Sequence, residues 1–276
     1  MIQFEKWELN NGLKVILSQD FNTPLVTLNT MYDVGSKDEN PELTGLAHLF
    51  EHLMFSGSKN ASNFDEILQN AGGENNAFTS NDVTNYYITL PKENIETGLW
   101  LESDRMQDLV LNQEKLDVQK KVVIEEFKQR YFNQPYGDVW LKLRPLCYKN
   151  HSYQWPTIGK SIEQIEKVTL NDATNFYKRF YAPNNATIAI AGNISKKECE
   201  KLVSKYFENK TRAEINRNNI IRETPQTAKR TSEIIADVAF DALYMAFHVE
   251  EKESIAYCTA DLLTDILSGG SSSRFY

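Results

Sequence analysis

Histidine and cysteine are both scarce in this chain of 276 residues, with four of the first and three of the second. Cys147, Cys199 and Cys258 are odd in number and far apart, which excludes a disulfide framework and reads as reduced thiols. No apolar run approaches the ~18 residues that a membrane-spanning helix needs. The first residues, MIQFEKWELNNG, do not form the apolar centre of a secretory signal. Cytoplasm is therefore the expected compartment, although a periplasmic chain relieved of its leader would read the same. Basic residues are outnumbered, 30 against 38 acidic ones, and the net charge of −8 leaves no electrostatic footprint for nucleic acid. What remains, 41% hydrophobic and 25% charged, is ordinary for a globular protein with ample material for a core. The length suggests one large domain or two smaller ones.

Against that scarcity, two of the four histidines fall in a single pentad. The stretch GLAHLFEHLMFSG, from Gly45 to Gly57, carries His48, Glu51 and His52 in the order H-x-x-E-H. Thr44 is expected to cap a helix there and Gly57 to take the left-handed position that ends it. On a helix, histidines four apart project from one face, and Glu51 lies on the neighbouring turn. Leu46, Leu49, Leu53 and Phe55 surround them with hydrocarbon. A lone buried histidine is usually a satisfied core residue. Two unpaired imidazoles and a carboxylate in an apolar setting would be costly unless something compensates them. That pattern suits Zn²⁺ and an activated water.

The remaining chain reads as mixed strands and helices. Trp7–Leu9 and Leu13–Leu17 flank Asn10-Asn11-Gly12, a β-hairpin pattern. Leu25–Val34 is predicted as a strand that enters the His48 helix through the acidic loop 35–43. Asn63–Ala71 is predicted as a short helix ended by Gly72-Gly73, and Asn75–Leu90 as two strands or one bent pair. Helices are expected over Glu93–Gln107, Asn112–Asn133, Leu170–Phe180 and Lys196–Phe207, with another from Asp138 broken at Pro145. Thr187–Ala191 is expected as a strand. Without strict βαβ alternation, this pattern argues for α+β layers. The polar stretch Asn209–Thr231, with Pro225, is the expected linker. Beyond it, Glu233–Val249 reads as strand and Ser254–Leu267 as helix. The expected division is a metal-binding lobe at 1–215, then a linker and the beginning of a second lobe at 216–276, too short to bury much alone.

A catalytic zinc usually takes three protein ligands. The helix expected over Asn112–Asn133 offers Glu125 and Glu126. Its apolar stripe runs through Leu116, Val123, Phe127 and Tyr131. At about 100° per residue, Glu126 lies at the stripe's edge and Glu125 points away. Glu126 is thus the expected third ligand. His151 and His248 have no partner at ligand spacing and read as structural.

These residues resemble the inverzincins, the pitrilysin/insulinase family of zinc peptidases that includes mitochondrial processing peptidase. The likeness extends to NGLKVIL, DVGSKDENPELTGLAHLFEHLMFSG, GGENNAFTSNDVTNYY, KKVVIEE and RFYAPNNATIAIAGNIS. It implies an α+β lobe of antiparallel sheet with helices packed on it, followed by the start of a similar lobe. Its V-V-x-x-E pattern, here Val122-Val123-Ile124-Glu125-Glu126, again selects Glu126. Where the family usually has an earlier glutamate, this chain has Gln119, a departure that leaves the metal ligands intact. The resemblance also implies that Asn76, Ala77 and Phe78 lie on the edge strand that receives the substrate backbone, a β-augmentation mode.

The implied activity is zinc-dependent endopeptidase cleavage of short or unfolded peptides. His48, His52 and Glu126 would hold the metal, and Glu51 would move the proton. The implied partners are a peptide substrate and a homologous second half or partner subunit, in a dimer. Two other readings stand beside this one. The chain could be a non-catalytic or incomplete subunit awaiting its complement, or a LuxS-like lyase, which shares H-x-x-E-H but uses a cysteine as third ligand. Cys147 sits before a loop without such a motif.

Overall fold

Alternation of apolar and polar residues along the strands decides which face of the sheet is covered. The computed structural model describes residues 2–217 and 220–275. Six strands form one sheet: β1 (Glu5–Glu8), β2 (Lys14–Gln19), β3 (Leu25–Tyr32), β4 (Glu74–Thr79), β5 (Thr84–Pro91) and β6 (Ala186–Gly192), in the order β1-β2-β6-β3-β5-β4. Neighbours are antiparallel except β2 and β6, which run parallel. The sheet is antiparallel with helices packed on it, as expected, apart from this one parallel pair, which arises because β6 enters the middle of the sheet after a long crossover of helices. Val15 and Leu17, Val26 and Leu28, Tyr86, Ile88 and Leu90, and Ile188 and Ile190 all point to the buried face. Each such side chain contributes about 1.5–3 kcal/mol by leaving water.

The helices are α1 (Leu46–Leu53), α2 (Phe64–Asn70), α3 (Ile95–Gln107), α4 (Gln113–Tyr131), α5 (Val139–Cys147), α6 (Ile162–Lys167), α7 (Leu170–Phe180), α8 (Lys196–Phe207) and α9 (Ile255–Ser268). α3 lies against β3 and β5, and α8 against β2. A Cβ on Gly98 of α3 would come within 2.7 Å of Leu28 Cδ1, so glycine lets that helix seat closely on the sheet. α1 packs on β4, β5, α4 and α7 and is the hub of the lobe.

Two expectations about individual elements are corrected. Pro145 does not break its helix: α5 runs through it to Cys147, and Tyr148 N–H still donates to Arg144 O at 2.9 Å. So near the helix end, the proline removes one donor and little of the helix lies beyond it. The strand expected over Glu233–Val249 does not form among the described residues, where the segment is mostly exposed, with Ile235 at 97% and Phe247 at 80%. A strand is defined by a ladder partner, which apolar alternation alone does not supply.

The chain divides into two compact units, Met1–Gln226 and Thr227–Tyr276. The first holds the sheet and α1–α8. The second holds α9, whose start is capped by Ser254 accepting from Tyr257 N–H at 3.0 Å. The segment expected as linker includes Asn218 and Asn219, which lie outside the described residues. Among the described residues, no helix is long and apolar enough to cross a membrane.

Candidate metal centre

α1 is fixed at its start by a residue well upstream of the pentad. The Glu39 carboxylate accepts from Ala47 N–H at 2.8 Å and Gly45 N–H at 3.0 Å, and Trp155 Nε1–H donates to it at 3.2 Å. A carboxylate there satisfies orphan helix donors and meets the positive end of the helix dipole. Burial pushes the Glu39 carboxyl up to about 8, against the pull of those donors. The N-cap position is Gly45 at φ +93°, and a Cβ there would sit 2.5 Å from Ile158 O. Thr44 is therefore not the cap. Its hydroxyl donates to Gln164 Oε1 and accepts from Lys160 N–H, tying the helix entry to α6 and the residues just before it. Gly57 is left-handed as expected, at φ +95°, but it lies beyond the C-cap Met54 and turns the chain rather than closing the helix.

The apolar face of α1 locks its rotation. Phe50 meets Phe176, Tyr177 and Tyr181 with ring centroids 5.2–6.2 Å away, and Tyr86 Oη donates to Phe50 O. With Leu49, Phe50 and Leu53 inside, His48, Glu51 and His52 are left on the side facing α4 and β4. From α4, the stripe Leu116, Val123, Phe127 and Tyr131 is buried as the helical spacing requires. Glu126 stands at its edge.

The three side chains converge. His48 Nε2 and His52 Nε2 each lie 3.5 Å from Glu126 Oε2, and one ligand atom from each residue falls within 4.8 Å of the others. That separation exceeds an ordinary N–H···O distance of about 2.7–3.2 Å. It fits the edge of a tetrahedron whose centre is about 2.0–2.1 Å from each donor, the range of zinc bonds to nitrogen and oxygen. Two imidazoles and one carboxylate are the donor set of hydrolytic zinc sites, so the residues present fit the metal. Burial lowers His48 to about 4, so its imidazole is neutral at pH 7, the form that ligates a metal. The His52 imidazole, then His48 and Arg130, hold the Glu126 carboxyl below the usual carboxylate range, against its burial.

Glu125, one residue earlier, is 63% exposed and pairs with Lys128 at 2.7 Å, away from this group. Cys147 is not among the described residues that gather here. Arg130 is a contributor that the sequence did not single out. One turn after Glu126, it reaches Glu126 Oε1 at 3.2 Å and leaves Oε2 toward the imidazoles. Its i,i+4 spacing was the available signal.

Glu51 lies beside the trio without belonging to it. Burial raises its carboxyl, while a hydrogen bond from Thr79 Oγ1, 2.6 Å from Glu51 Oε2, and then His52 lower it. Asn76, Ala77 and Phe78 precede Thr79 on β4, which among the described residues pairs only with β5 and so forms one end of the sheet. Phe78 points to solvent and Ala77 packs partly against the core. His151 has a local role, accepting from Tyr153 N–H at Nδ1.

Comparison with known proteins places the chain among its relatives. Residues 14–145 match the family described as Insulinase (Peptidase family M16), and residues 167–276 match the Peptidase M16 inactive domain. The zinc protease PqqE of Helicobacter pylori is 30% identical over 275 residues, covering 98% of this chain and 62% of that protein. The mitochondrial-processing peptidase subunit beta of Saccharomyces cerevisiae is 28% identical over 203 residues, covering 72% of this chain and 43% of its own length. A crystal structure of a protease from Helicobacter pylori superimposes with a TM-score of 0.74 at 31% identity, over 81% of this chain and 54% of that one. The chain thus spans between 43% and 62% of the length of these relatives. With both parts matched in order and the H-x-x-E-H helix facing Glu126, the chain belongs to the insulinase family of zinc peptidases, peptidase family M16.

Proposed function

We propose that this chain supplies the metal-bearing half of a zinc-dependent endopeptidase acting on short or unfolded peptides. The observation that carries this reading is the convergence of His48, His52 and Glu126 on one point, with Glu51 beside them and outside the ligand set. Zinc held there supplies a Lewis acid that polarises a scissile carbonyl and acidifies a water molecule.

The chain's own residues divide the remaining work. His48 and His52 present neighbouring donors from successive turns of one helix, and Glu126 adds a negative charge from a second helix. Glu51 takes a proton from the attacking water and later returns one to the leaving amine, a general base and then a general acid. β4, at the end of the sheet, receives the peptide as an added strand along Asn76, Ala77 and Phe78. Main-chain hydrogen bonds there give affinity with limited sequence demand, which suits unfolded substrates. A homologous second half or partner subunit completes the enzyme, in keeping with relatives longer than this chain. Three cysteines, odd in number and far apart, fit a reducing compartment such as cytoplasm.

The test is Glu51→Gln in the peptide-cleaving assembly. Zinc content is expected to stay at the wild-type level while turnover falls by about 10²–10⁴-fold, the usual contribution of general acid–base catalysis. Turnover at the wild-type rate would refute the assignment.

A further inference from the structure

The hydrogen bond between Thr79 and Glu51 joins two parts of the site that are otherwise separate, the strand and the proton carrier. Thr79 is the last residue of β4 and pairs with Thr84 across the ladder. The turn that follows is closed by Ser80 N–H donating to Val83 O at 2.8 Å and Val83 N–H donating to Ser80 Oγ at 2.9 Å. Asn81 in that turn donates to Ser36 Oγ at 2.8 Å and accepts from Arg144 Nη1 at 3.2 Å. Thr79 is therefore held from the ladder on one side and a pinned turn on the other. Its hydroxyl lies 2.6 Å from Glu51 Oε2, and among the described residues no other hydrogen bond reaches that carboxylate.

We propose that Thr79 is a positioning residue for Glu51: its hydroxyl fixes one carboxylate oxygen, leaves the other for proton transfer, and ties the orientation of the base to the strand that receives the peptide. This rests on Glu51 acting as the base. A glutamate has three rotatable bonds, and a single donor on a rigid strand removes most of that freedom. The bond is charge-assisted when the carboxylate is ionised, which strengthens it. Hydrogen-bonded supports of this kind hold catalytic groups within the narrow geometry that chemistry requires. Because Thr79 directly follows Asn76, Ala77 and Phe78, a peptide that adds to β4 would stiffen the same strand that holds Glu51. Binding and base alignment would then share one element.

The experiment compares Thr79→Val, which keeps the shape and strand preference but removes the hydroxyl, with Thr79→Ser, which restores it. Glu51→Gln is run beside them in the zinc-loaded, peptide-cleaving assembly. Thr79→Val is expected to lower kcat by about 10- to 100-fold, the scale of lost supporting hydrogen bonds around metal sites. KM and zinc affinity should stay within about twofold, and Thr79→Ser should recover most of the loss. Crystal structures of the two variants give a readout independent of turnover: the Glu51 carboxylate leaves its place in Thr79→Val and keeps it in Thr79→Ser. An unchanged kcat in Thr79→Val beside an inactive Glu51→Gln overturns the positioning role alone. So does a rise in KM with kcat intact, which would make Thr79 a substrate contact. An active Glu51→Gln overturns the base and, with it, the need to position one.

Discussion

The crossing of α1 and α4 and the neighbouring strand β4 are held in opposite ways. α1 is fixed at its start by Glu39, along its apolar face by Phe50 among three aromatic rings, and across from α4 by Val123 and Phe127. Within the sheet β4 pairs with β5 alone among the described residues, and alternate residues along it face solvent. On the proposed reading, the metal ligands come from a packed cradle, while the strand keeps one edge for an added chain. Catalytic geometry needs placement within about 0.5 Å, whereas strand addition needs only an unpaired ladder. Rigid chemistry beside generic recognition is what the proposed cleavage of unfolded chains would require.

If the contrast holds, changes in the cradle should be severe and changes on the solvent-facing side of the strand mild. Glu126→Ala should show the largest effect, with loss of stoichiometric zinc by elemental analysis, while Glu125→Ala keeps it. Full zinc in Glu126→Ala would move the third ligand elsewhere. Next, Phe50→Ala should destabilise the protein by about 3–5 kcal/mol in denaturant unfolding, the usual cost of emptying a buried aromatic site. A loss below ~1 kcal/mol would show that the packing does not lock α1. The smallest effect belongs to Phe78→Ala. Its side chain is exposed, so stability should stay within about 0.5 kcal/mol. KM should rise by tenfold or less, because main-chain bonds carry strand addition. A collapse of kcat in this variant would place Phe78 in the cradle instead.

The pentad was legible because its information is local: His48 and His52 share a face by helical spacing alone, and the stripe on α4 separates Glu126 from Glu125 by arithmetic. The hairpin at Asn11-Gly12 and the division of residues 74–91 into two strands followed from turn chemistry and alternation. What stayed hidden depends on contacts distant in sequence. No local pattern marks Glu39 as the residue that satisfies the donors of α1, and Thr44 looked like a better cap because serine and threonine usually are. The fixed place of Thr79 beside Glu51 arises from β4 folding back past α1. The parallel pairing of β2 with β6 spans most of the lobe. Glu233–Val249 has a strand's alternation without a ladder partner among the described residues.

The most direct test of the metal centre is anomalous diffraction at the zinc edge from crystals of the zinc-loaded protein. A single strong peak is expected about 2.0–2.1 Å from His48 Nε2, His52 Nε2 and a Glu126 oxygen, with Glu51 outside bonding range. A peak bonded to other side chains, or none between α1 and α4, would contradict the account.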